Sequence, residues 1–342
     1  MTDKIKIGVL GAGTWGVALS RMLCNEGHKV TVWSAIEKEI EDISSSRVHP
    51  NLPEIELPEQ IEYTKDIKNA CLGNDILLFA VPSPFVRATA RKAAPYVSAG
   101  QIIVDVAKGI EEDTLYMMSE IIAEEINNPE VKIVALSGPT HAEEVVKDFP
   151  TTIVSASKDI EAAEYVQKVF NTESMRVYTN DDILGVELCG ALKNVIALAC
   201  GIAAGLGCGD NAKAALITRG IAEISRLGMA MGLREQTFGG LAGIGDLIVT
   251  ATSMNSRNLR CGMLLGQGVP VEEATKRVGM VVEGLNALPA AIKLAKKYNV
   301  EMPIVEAANA VVSGNVNVSE VVRTLMSRDL KSELSASAFL EK

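Results

Sequence analysis

The chain has few histidines and no paired cysteines. Among its 342 residues are three histidines and six cysteines, and the cysteines are scattered without a Cys-x-x-Cys pair. This composition offers no plausible zinc-binding set, so we expect no metal site. Reduced thiols in a cytosolic protein are the simplest interpretation.

The chain also lacks an excess of positive charge. Its 33 Lys and Arg residues are outnumbered by 43 Asp and Glu residues, and the formal net charge is -10. Nucleic acids and anionic membranes favour basic surfaces, so the composition argues against both as partners. If the ligand is an anion, the positive charge that binds it must be local.

We expect neither a secretory signal nor a membrane-spanning segment. The apolar run 5–10 is short and leads into a glycine motif rather than a small-residue cleavage site. The stretch 186–206 has the length of a bilayer-spanning helix, but it carries Glu187, Lys193 and Asn194. Because a charged lysine is costly in lipid, we predict a helix buried inside protein.

The first half of the chain alternates short apolar runs with amphipathic helical patterns at 16–25, 83–94, 113–125 and around 161–170. We predict strands at 5–10, 29–33, 76–81, 102–106, 131–136, 151–155 and 175–178. Parallel strands need crossover connections, which helices provide, so this alternation predicts a doubly wound α/β domain.

The composition of the sequence changes after Asn180. Ala, Leu and Gly dominate, and helical spacing continues to the end of the chain. Asp181 or Asp182 could cap a long helix at this point. We therefore predict an α/β domain over residues 1–181 and an all-α domain over residues 182–342.

A G-x-G-x-x-G motif, with Gly11, Gly13 and Gly16, joins the first predicted strand to a helix. In this setting the first glycine permits a tight turn, the second lets backbone approach a pyrophosphate, and the third lets helix pack on strand. A glycine turn that merely connects two elements is the alternative. The strand–turn–helix context favours a Rossmann-type dinucleotide-binding domain with NAD or NADP as cofactor.

One feature of NAD-specific sites is missing from the second strand. An Asp or Glu about 20 residues after the motif usually binds the ribose 2′-hydroxyl. Here the region around Ser34 has no acid at the strand end and no Arg for a 2′-phosphate, and Glu37 fits better as a solvated helix residue. The sequence therefore does not choose between NAD and NADP.

Ligands of open α/β sheets bind beyond the carboxyl ends of the strands. Lys108 follows an apolar strand and precedes a glycine, which suits a cation presented to a cleft; a solvated loop lysine is the alternative. Thr140 and Glu143 follow another strand in a Thr-x-x-Glu pattern, which predicts a capping box. A capped helix can still offer N–H groups to a ligand.

Two charged residues occur in apolar stretches of the helical region. Lys193 shares a helical face with Gly190 and Ile196, and desolvation there should lower its pKa, which suits general acid/base catalysis. A lysine that reaches solvent or forms a structural pair is the alternative. Asp246 needs a buried cation as its partner, and Lys193 is the natural one.

A polar segment over residues 252–258 precedes the next helical run. Its Thr, Ser and Asn residues can cap a helix, and Arg257 stands at the helix start. N–H donors, a helix dipole and a guanidinium together form a phosphate-binding arrangement. Ordinary capping with a surface arginine is the alternative.

Together these segments resemble the bacterial NAD(P)-dependent glycerol-3-phosphate dehydrogenase family over essentially the whole chain. The resemblance is carried by residues 11–19, 136–145, 190–196, 209–220, 243–249, 256–258, 266–268 and 281–284. It implies reversible hydride transfer between NAD(P)H and dihydroxyacetone phosphate, which gives sn-glycerol 3-phosphate. It also suggests a cytoplasmic enzyme that feeds phospholipid synthesis, often as a homodimer.

The resemblance implies roles for individual residues. Lys193 would be the proton acceptor during oxidation. Our hypothesis for the mechanism is that Lys108 stabilises the oxyanion and that Asp246 orients Lys193. The residues implied to surround the substrate are Lys108, Gly138, Thr140, Lys193, Asp246, Ser256, Arg257 and Asn258. Besides the three glycines, those implied to contact the cofactor are Thr14, Trp15, Lys108, Ala142, Arg257, Val281 and Glu283.

The sequence departs from the family pattern at two places. The segment after Trp33 lacks the basic residue that many members carry, and His141 stands where members often have Phe. We interpret His141 as a packing variant and assign it no chemistry. Two other functions remain as alternatives: a related dehydrogenase of a hydroxy acid or sugar phosphate, and a non-catalytic redox sensor, against which Lys193 argues.

Overall fold

The first half of the chain folds around one large sheet. The computed structural model describes residues 4–314, 316, 318–330 and 332–333, so the ends of the two predicted domains, 1–3 and 334–342, lie outside the described residues. The strands are β1 (Lys6–Leu10), β2 (Lys29–Trp33), β3 (Val48–His49), β4 (Leu52–Glu56), β5 (Glu62–Thr64), β6 (Ile76–Phe79), β7 (Ile102–Asp105), β8 (Lys132–Ser137), β9 (Thr151–Ala156) and β10 (Met175–Asn180).

The sheet has the predicted doubly wound topology. Eight strands pair in the order β10-β9-β8-β7-β6-β1-β2-β5, and β3 and β4 form a separate antiparallel hairpin. The eight-stranded sheet is parallel except where β9 pairs antiparallel with β8. Because β1 lies between β2 and β6, the chain winds outward from β1 in both directions. The carboxyl ends of β1, β6, β7 and β8 therefore meet along one edge.

Helices cover the sheet and build the second half of the chain. Those of the first half are α1 (Thr14–Asn25), α2 (Glu37–Ser46), α3 (Ile67–Cys71), α4 (Val86–Ala93), α5 (Met118–Ile126), α6 (Ala142–Val145) and α7 (Ile160–Phe170). Those of the second half are α8 (Ile183–Gly205), α9 (Asp210–Ala230), α10 (Glu235–Phe238), α11 (Asp246–Thr252), α12 (Arg257–Gly266), α13 (Val271–Val278), α14 (Glu283–Lys297), α15 (Pro303–Val312) and α16 (Val318–Met326).

Helix α8 is the core of the helical half. Its N-cap is Asp182, whose side chain accepts a hydrogen bond from Gly185 N at 3.2 Å. The helix is long and apolar enough to cross a membrane, yet 94% of its most apolar window is buried inside the protein. It packs against α9, α11, α12 and α14. The structure therefore has the buried helix that the sequence predicted, while the domain boundary after residue 181 stays a prediction.

Helices α8 and α12 are in contact through glycines. A Cβ at Gly201 would lie 2.9 Å from Gly262 Cα, and a Cβ at Gly262 would lie 2.2 Å from the carbonyl oxygen of Leu198. Real side chains do not approach so closely, so only glycine permits this separation. The contact fixes where the N-terminus of α12 lies relative to the middle of α8.

One predicted helix begins later than expected. The sequence predicted a helix from residue 113, but α5 begins at Met118. Residues 110–117 form a turn that is closed by an antiparallel bridge between Ile110 and Met117, with Leu115 at a φ of 63°. The Glu120 carboxylate then accepts a hydrogen bond from Met117 N at 2.9 Å and so stabilises the later start. Strands β3, β4 and β5 were not predicted.

We predict that Gly262→Ala destabilises the protein. The added methyl group overpacks the contact between α8 and α12, and we expect the free energy of unfolding to fall by about 1–3 kcal/mol. Gly239→Ala is the matched control, because the nearest atom to its new Cβ would be 3.9 Å away. Urea unfolding followed by circular dichroism measures both variants. Equal midpoints for Gly262→Ala and the control would contradict the packing argument.

Candidate active site

The glycine motif forms the turn between β1 and α1. Gly11 has a φ of 127°, and a Cβ there would lie 2.6 Å from the carbonyl oxygen of Ala80. A Cβ at Gly16 would lie 2.3 Å from the carbonyl oxygen of Gly11, whereas one at Gly13 would have no such neighbour within 4 Å. Packing therefore requires Gly11 and Gly16, and the open space at Gly13 fits the close approach of a pyrophosphate.

Three residues expected to contact the cofactor lie around this turn. Thr14 and Trp15 begin α1, and Thr14 Oγ1 accepts a hydrogen bond from Asn51 Nδ2 at 3.1 Å. Trp15 packs against the small apolar cluster around Ala18, and so does Ala142, the first residue of α6. The structure thus brings Thr14, Trp15 and Ala142 to the glycine turn.

Lys108 lies just beyond the carboxyl end of β7. Its Nζ donates hydrogen bonds to Gly138 O at 3.3 Å and to Asp246 Oδ2 at 2.7 Å. Gly138 directly follows β8, the neighbouring strand, so the sheet places both residues at one edge. Gly190 of α8 packs against the lysine stem, since a Cβ there would lie 3.4 Å from Lys108 Cγ.

Lys193 reaches the same carboxylate from the helical half. Its Nζ donates to Asp246 Oδ1 and to Thr250 Oγ1, the latter at 2.8 Å. Asp246 therefore accepts from Lys108 with one oxygen and from Lys193 with the other. The structure contains the Lys193–Asp246 pair that the sequence predicted. It adds Thr250, which sequence reasoning missed although it lies one helical turn after Asp246.

An irregular helix start presents Asp246 to the two lysines. A π-helical turn over Leu241–Gly245 precedes α11, and Gly245 N donates to Gly240 O, five residues earlier, at 3.2 Å. A Cβ at Gly243 would lie 2.1 Å from the carbonyl oxygen of Phe238, so this turn requires glycine at 243. Turns of this kind recur at functional sites.

Burial sets the protonation behaviour of Lys193. The side chain is almost fully buried, and this desolvation lowers its pKa well below the ordinary value. The Asp246 carboxylate opposes the change, and the positive charge of Lys108 adds to it. Burial is the larger effect, so the structure supports the lowered pKa that the apolar sequence around Lys193 predicted.

The N-terminus of α12 supplies a second positively charged group, in addition to the two lysines. Ser256 is its N-cap, and Ser256 Oγ accepts a hydrogen bond from Leu259 N at 3.2 Å. Arg257 is half-buried, and its side chain has neither a hydrogen bond nor an ion pair within the described part of the chain. Burial lowers the pKa of Arg257, and the charges of Glu283 and Glu143 oppose this change. Its guanidinium donors and the helix N–H groups are available to an anion.

Asn258 is held by buried amide contacts. Asn258 Nδ2 donates to Asn194 Oδ1 at 2.9 Å, and Gly284 N donates to Asn258 Oδ1 at 2.8 Å. Asn194 directly follows Lys193, so these bonds connect α8, α12 and α14 beside the lysine. Sequence reasoning did not assign a role to Asn194. Contact of Asn258 with a substrate stays a prediction.

Glu283 connects the helical half to the sheet. Its carboxylate accepts hydrogen bonds from Ser83 N at 3.0 Å and Ser83 Oγ at 2.6 Å, beyond the end of β6. Val281 is half-buried and lies two residues before Glu283. Glu283 therefore lies near the edge that carries Lys108, and contact of Glu283 and Val281 with the cofactor stays a prediction.

The predicted capping box between Thr140 and Glu143 is wrong. Thr140 Oγ1 donates instead to Gly138 O at 3.1 Å, the carbonyl that also accepts from Lys108. The N-cap of α6 is His141, which makes no side-chain capping bond. Burial lowers the pKa of His141, and the charge of Lys193 lowers it further.

The described residues contain no cluster of three or more His, Cys, Asp or Glu side chains that could hold a metal ion. The six cysteines are all free thiols, and five of them are buried.

Comparison with known proteins identifies the family. The model of the NAD-dependent glycerol-3-phosphate dehydrogenase N-terminus matches residues 6–163, and that of the C-terminus matches residues 182–323. Glycerol-3-phosphate dehydrogenase (NAD(P)+) 2 of Lactobacillus delbrueckii subsp. bulgaricus is 61% identical over 96% of this chain and 99% of its own length. Glycerol-3-phosphate dehydrogenase (NAD(P)+) of Bacillus subtilis is 48% identical over 96% of both chains.

Solved structures agree with these matches. The crystal structure of glycerol-3-phosphate dehydrogenase from Coxiella burnetii superposes with a TM-score of 0.90 at 35% identity, covering 95% of this chain and 99% of that one. Both halves of the fold are therefore shared, including the Rossmann-type sheet and the helical bundle. The chain belongs to the NAD-dependent glycerol-3-phosphate dehydrogenase family.

Proposed function

We propose that this chain interconverts dihydroxyacetone phosphate and sn-glycerol 3-phosphate with NAD(P) as the hydride carrier. The observation that carries the proposal is the Asp246 carboxylate, which binds Lys108 from the sheet and Lys193 from the helical half at the strand edge. Two ammonium groups beside a dinucleotide-binding turn suit a reaction in which a carbonyl becomes an alcohol. The bound cofactor supplies or accepts the hydride at C2 of the triose.

Lys193 manages the proton in this proposal. A lysine whose pKa is lowered by burial exchanges protons near neutral pH, as general acid/base catalysis requires. It gives a proton to the C2 oxygen during reduction and removes it during oxidation. Asp246 and Thr250 hold the ammonium in place, and Lys108 stabilises negative charge on the oxygen.

The phosphate binds at the start of α12. No described residue pairs with the guanidinium of Arg257, and the helix N-terminus adds N–H groups and a favourable dipole. Ser256 and Asn258 flank the arginine, and Gly138 and Thr140 complete the substrate side near Lys108. This arrangement provides the local positive charge that an acidic protein needs to bind an anionic substrate.

The remaining assignments rest on the family resemblance. Thr14, Trp15, Ala142, Val281 and Glu283 contact the cofactor, and the domains divide after residue 181. The enzyme works in the cytoplasm and supplies phospholipid synthesis, and it assembles as a homodimer. A small phosphorylated triose is its partner, rather than a nucleic acid or a membrane.

The proposed reaction is tested directly with the purified protein. We expect dihydroxyacetone phosphate to support oxidation of NADH or NADPH, followed as loss of absorbance of the reduced nicotinamide. A 2-oxo acid of similar size without a phosphate is the matched control, because it cannot use the Arg257 site. Equal rates with the two substrates would favour a hydroxy-acid dehydrogenase, and no rate with either would favour the redox-sensor alternative.

The role of Lys193 is tested by Lys193→Ala. Loss of the proton-transferring group should lower kcat by about 10²- to 10⁴-fold, the usual contribution of general acid/base catalysis. Binding of the reduced cofactor, measured by fluorescence, should stay within about threefold of wild type, since K193A leaves the glycine turn intact. Lys276→Ala, on the exposed side of α13, is the control. Near-normal turnover of K193A would remove Lys193 from the chemistry.

A further inference from the structure

A carboxylate that sequence reasoning overlooked lies at the end of β2. Ser34, which directly follows the strand, donates a hydrogen bond from its Oγ to Glu39 Oε2 at 2.6 Å. Ser34 Oγ also accepts a hydrogen bond from Ile36 N at 3.1 Å, and Ser34 is buried. Glu39 lies in the first turn of α2, so the chain folds back and carries its carboxylate to the strand end.

The same carboxylate is close to the glycine turn. Gly11 N donates to Trp33 O at 2.8 Å, which ties the end of β2 to that turn. Burial lowers the pKa of His49, and the charge of Glu39 and the backbone of Ala12 oppose this change. The Glu39 carboxylate is therefore held at the end of β2, next to the strand residue that bonds to the first βα turn, and in a Rossmann domain this region holds the adenosine ribose.

Two cations near this carboxylate are engaged elsewhere. Lys65 pairs with Glu37 and Glu41, and Arg47 donates to backbone carbonyls of the 58–61 segment. Lys38 is exposed on the first turn of α2, and no hydrogen bond or ion pair engages it among the described residues. It is the cation in this turn that could favour a 2′-phosphate over a hydroxyl.

We propose that Glu39, held by Ser34, determines the cofactor preference of this enzyme and makes NADH the better cofactor. Its carboxylate accepts a hydrogen bond from the ribose 2′-hydroxyl of NADH and repels the 2′-phosphate of NADPH. This inference rests on the dinucleotide site of the proposed function. It also explains how a chain without an acid at the strand end itself can still select NADH: the acid comes from the following helix.

Equilibrium binding of NADH and NADPH to the full-length protein tests the proposal without any triose. The intrinsic tryptophan fluorescence or the nicotinamide emission reports binding. For the wild type we expect the Kd for NADPH to exceed that for NADH by about tenfold or more, as the loss of one charge-assisted hydrogen bond predicts. In Glu39→Gln the ratio should fall to about threefold or less, mainly through tighter NADPH binding.

Two control variants separate Glu39 from the general charge of the helix. Glu41→Gln removes the same charge from α2, but its carboxylate faces Lys65, so the ratio should not change. Lys38→Gln should also leave the ratio unchanged. Wild-type protein that binds NADPH as tightly as NADH would overturn the proposal, and so would a ratio that responds to Lys38→Gln rather than to E39Q.

The experiments distinguish an error in the predicted NADH preference from an error in the proposed reaction. If the triose is reduced but NADPH is preferred, only the role of Glu39 is wrong. If neither cofactor binds, the dinucleotide site itself is wrong, and both proposals fall. The wild-type ratio decides the preference even if Glu39→Gln does not fold.

Discussion

One buried carboxylate, that of Asp246, determines the geometry of the site. Its two oxygens bind one lysine from the sheet and one from the helical half, so the ion pairs themselves join the two halves of the chain. A buried charge that lost its partners would be strongly destabilising, by about 3–5 kcal/mol for a typical pair. Lys108, Lys193 and Asp246 are therefore interdependent, and the Ser83–Glu283 contact adds a further connection along the same edge.

Most of the fold could be predicted from the sequence, because the spacing of apolar residues along the chain identifies most of its strands and helices. Apolar runs separated by amphipathic stretches identify the main strands, and the residues after Asn180 identify the helical half. The features that the sequence did not predict depend on contacts that a local pattern does not show. The start of α5 was misplaced because the Ile110–Met117 bridge overrides the helical spacing before it. The strands of the β3–β4 hairpin are short, two and five residues, and carry no clear alternation of apolar and polar residues.

The site residues that are charged and lie in apolar stretches could be predicted from the sequence. Those that reach the site only through a turn of the chain could not. A charged lysine and a charged aspartate in apolar helices are stable only when each has a partner, and this requirement identified the Lys193–Asp246 pair. Thr140 fitted a capping pattern, but the nearby Gly138 carbonyl satisfies its hydroxyl locally. Glu39 was missed because its distance from the glycine motif exceeds the usual spacing, and only the turn at Ser34 brings it to the strand end.

The most direct test is an NMR titration of the lysine side chains, with protein labelled at lysine Cε and the Lys193 signal assigned by its absence from K193A. Because burial disfavours the charged ammonium, Lys193 should be protonated at low pH and should lose its proton at a pH well below that of the exposed lysines. The exposed lysines should remain charged until pH is about 10. A Lys193 signal that titrates together with those of the exposed lysines would contradict the account.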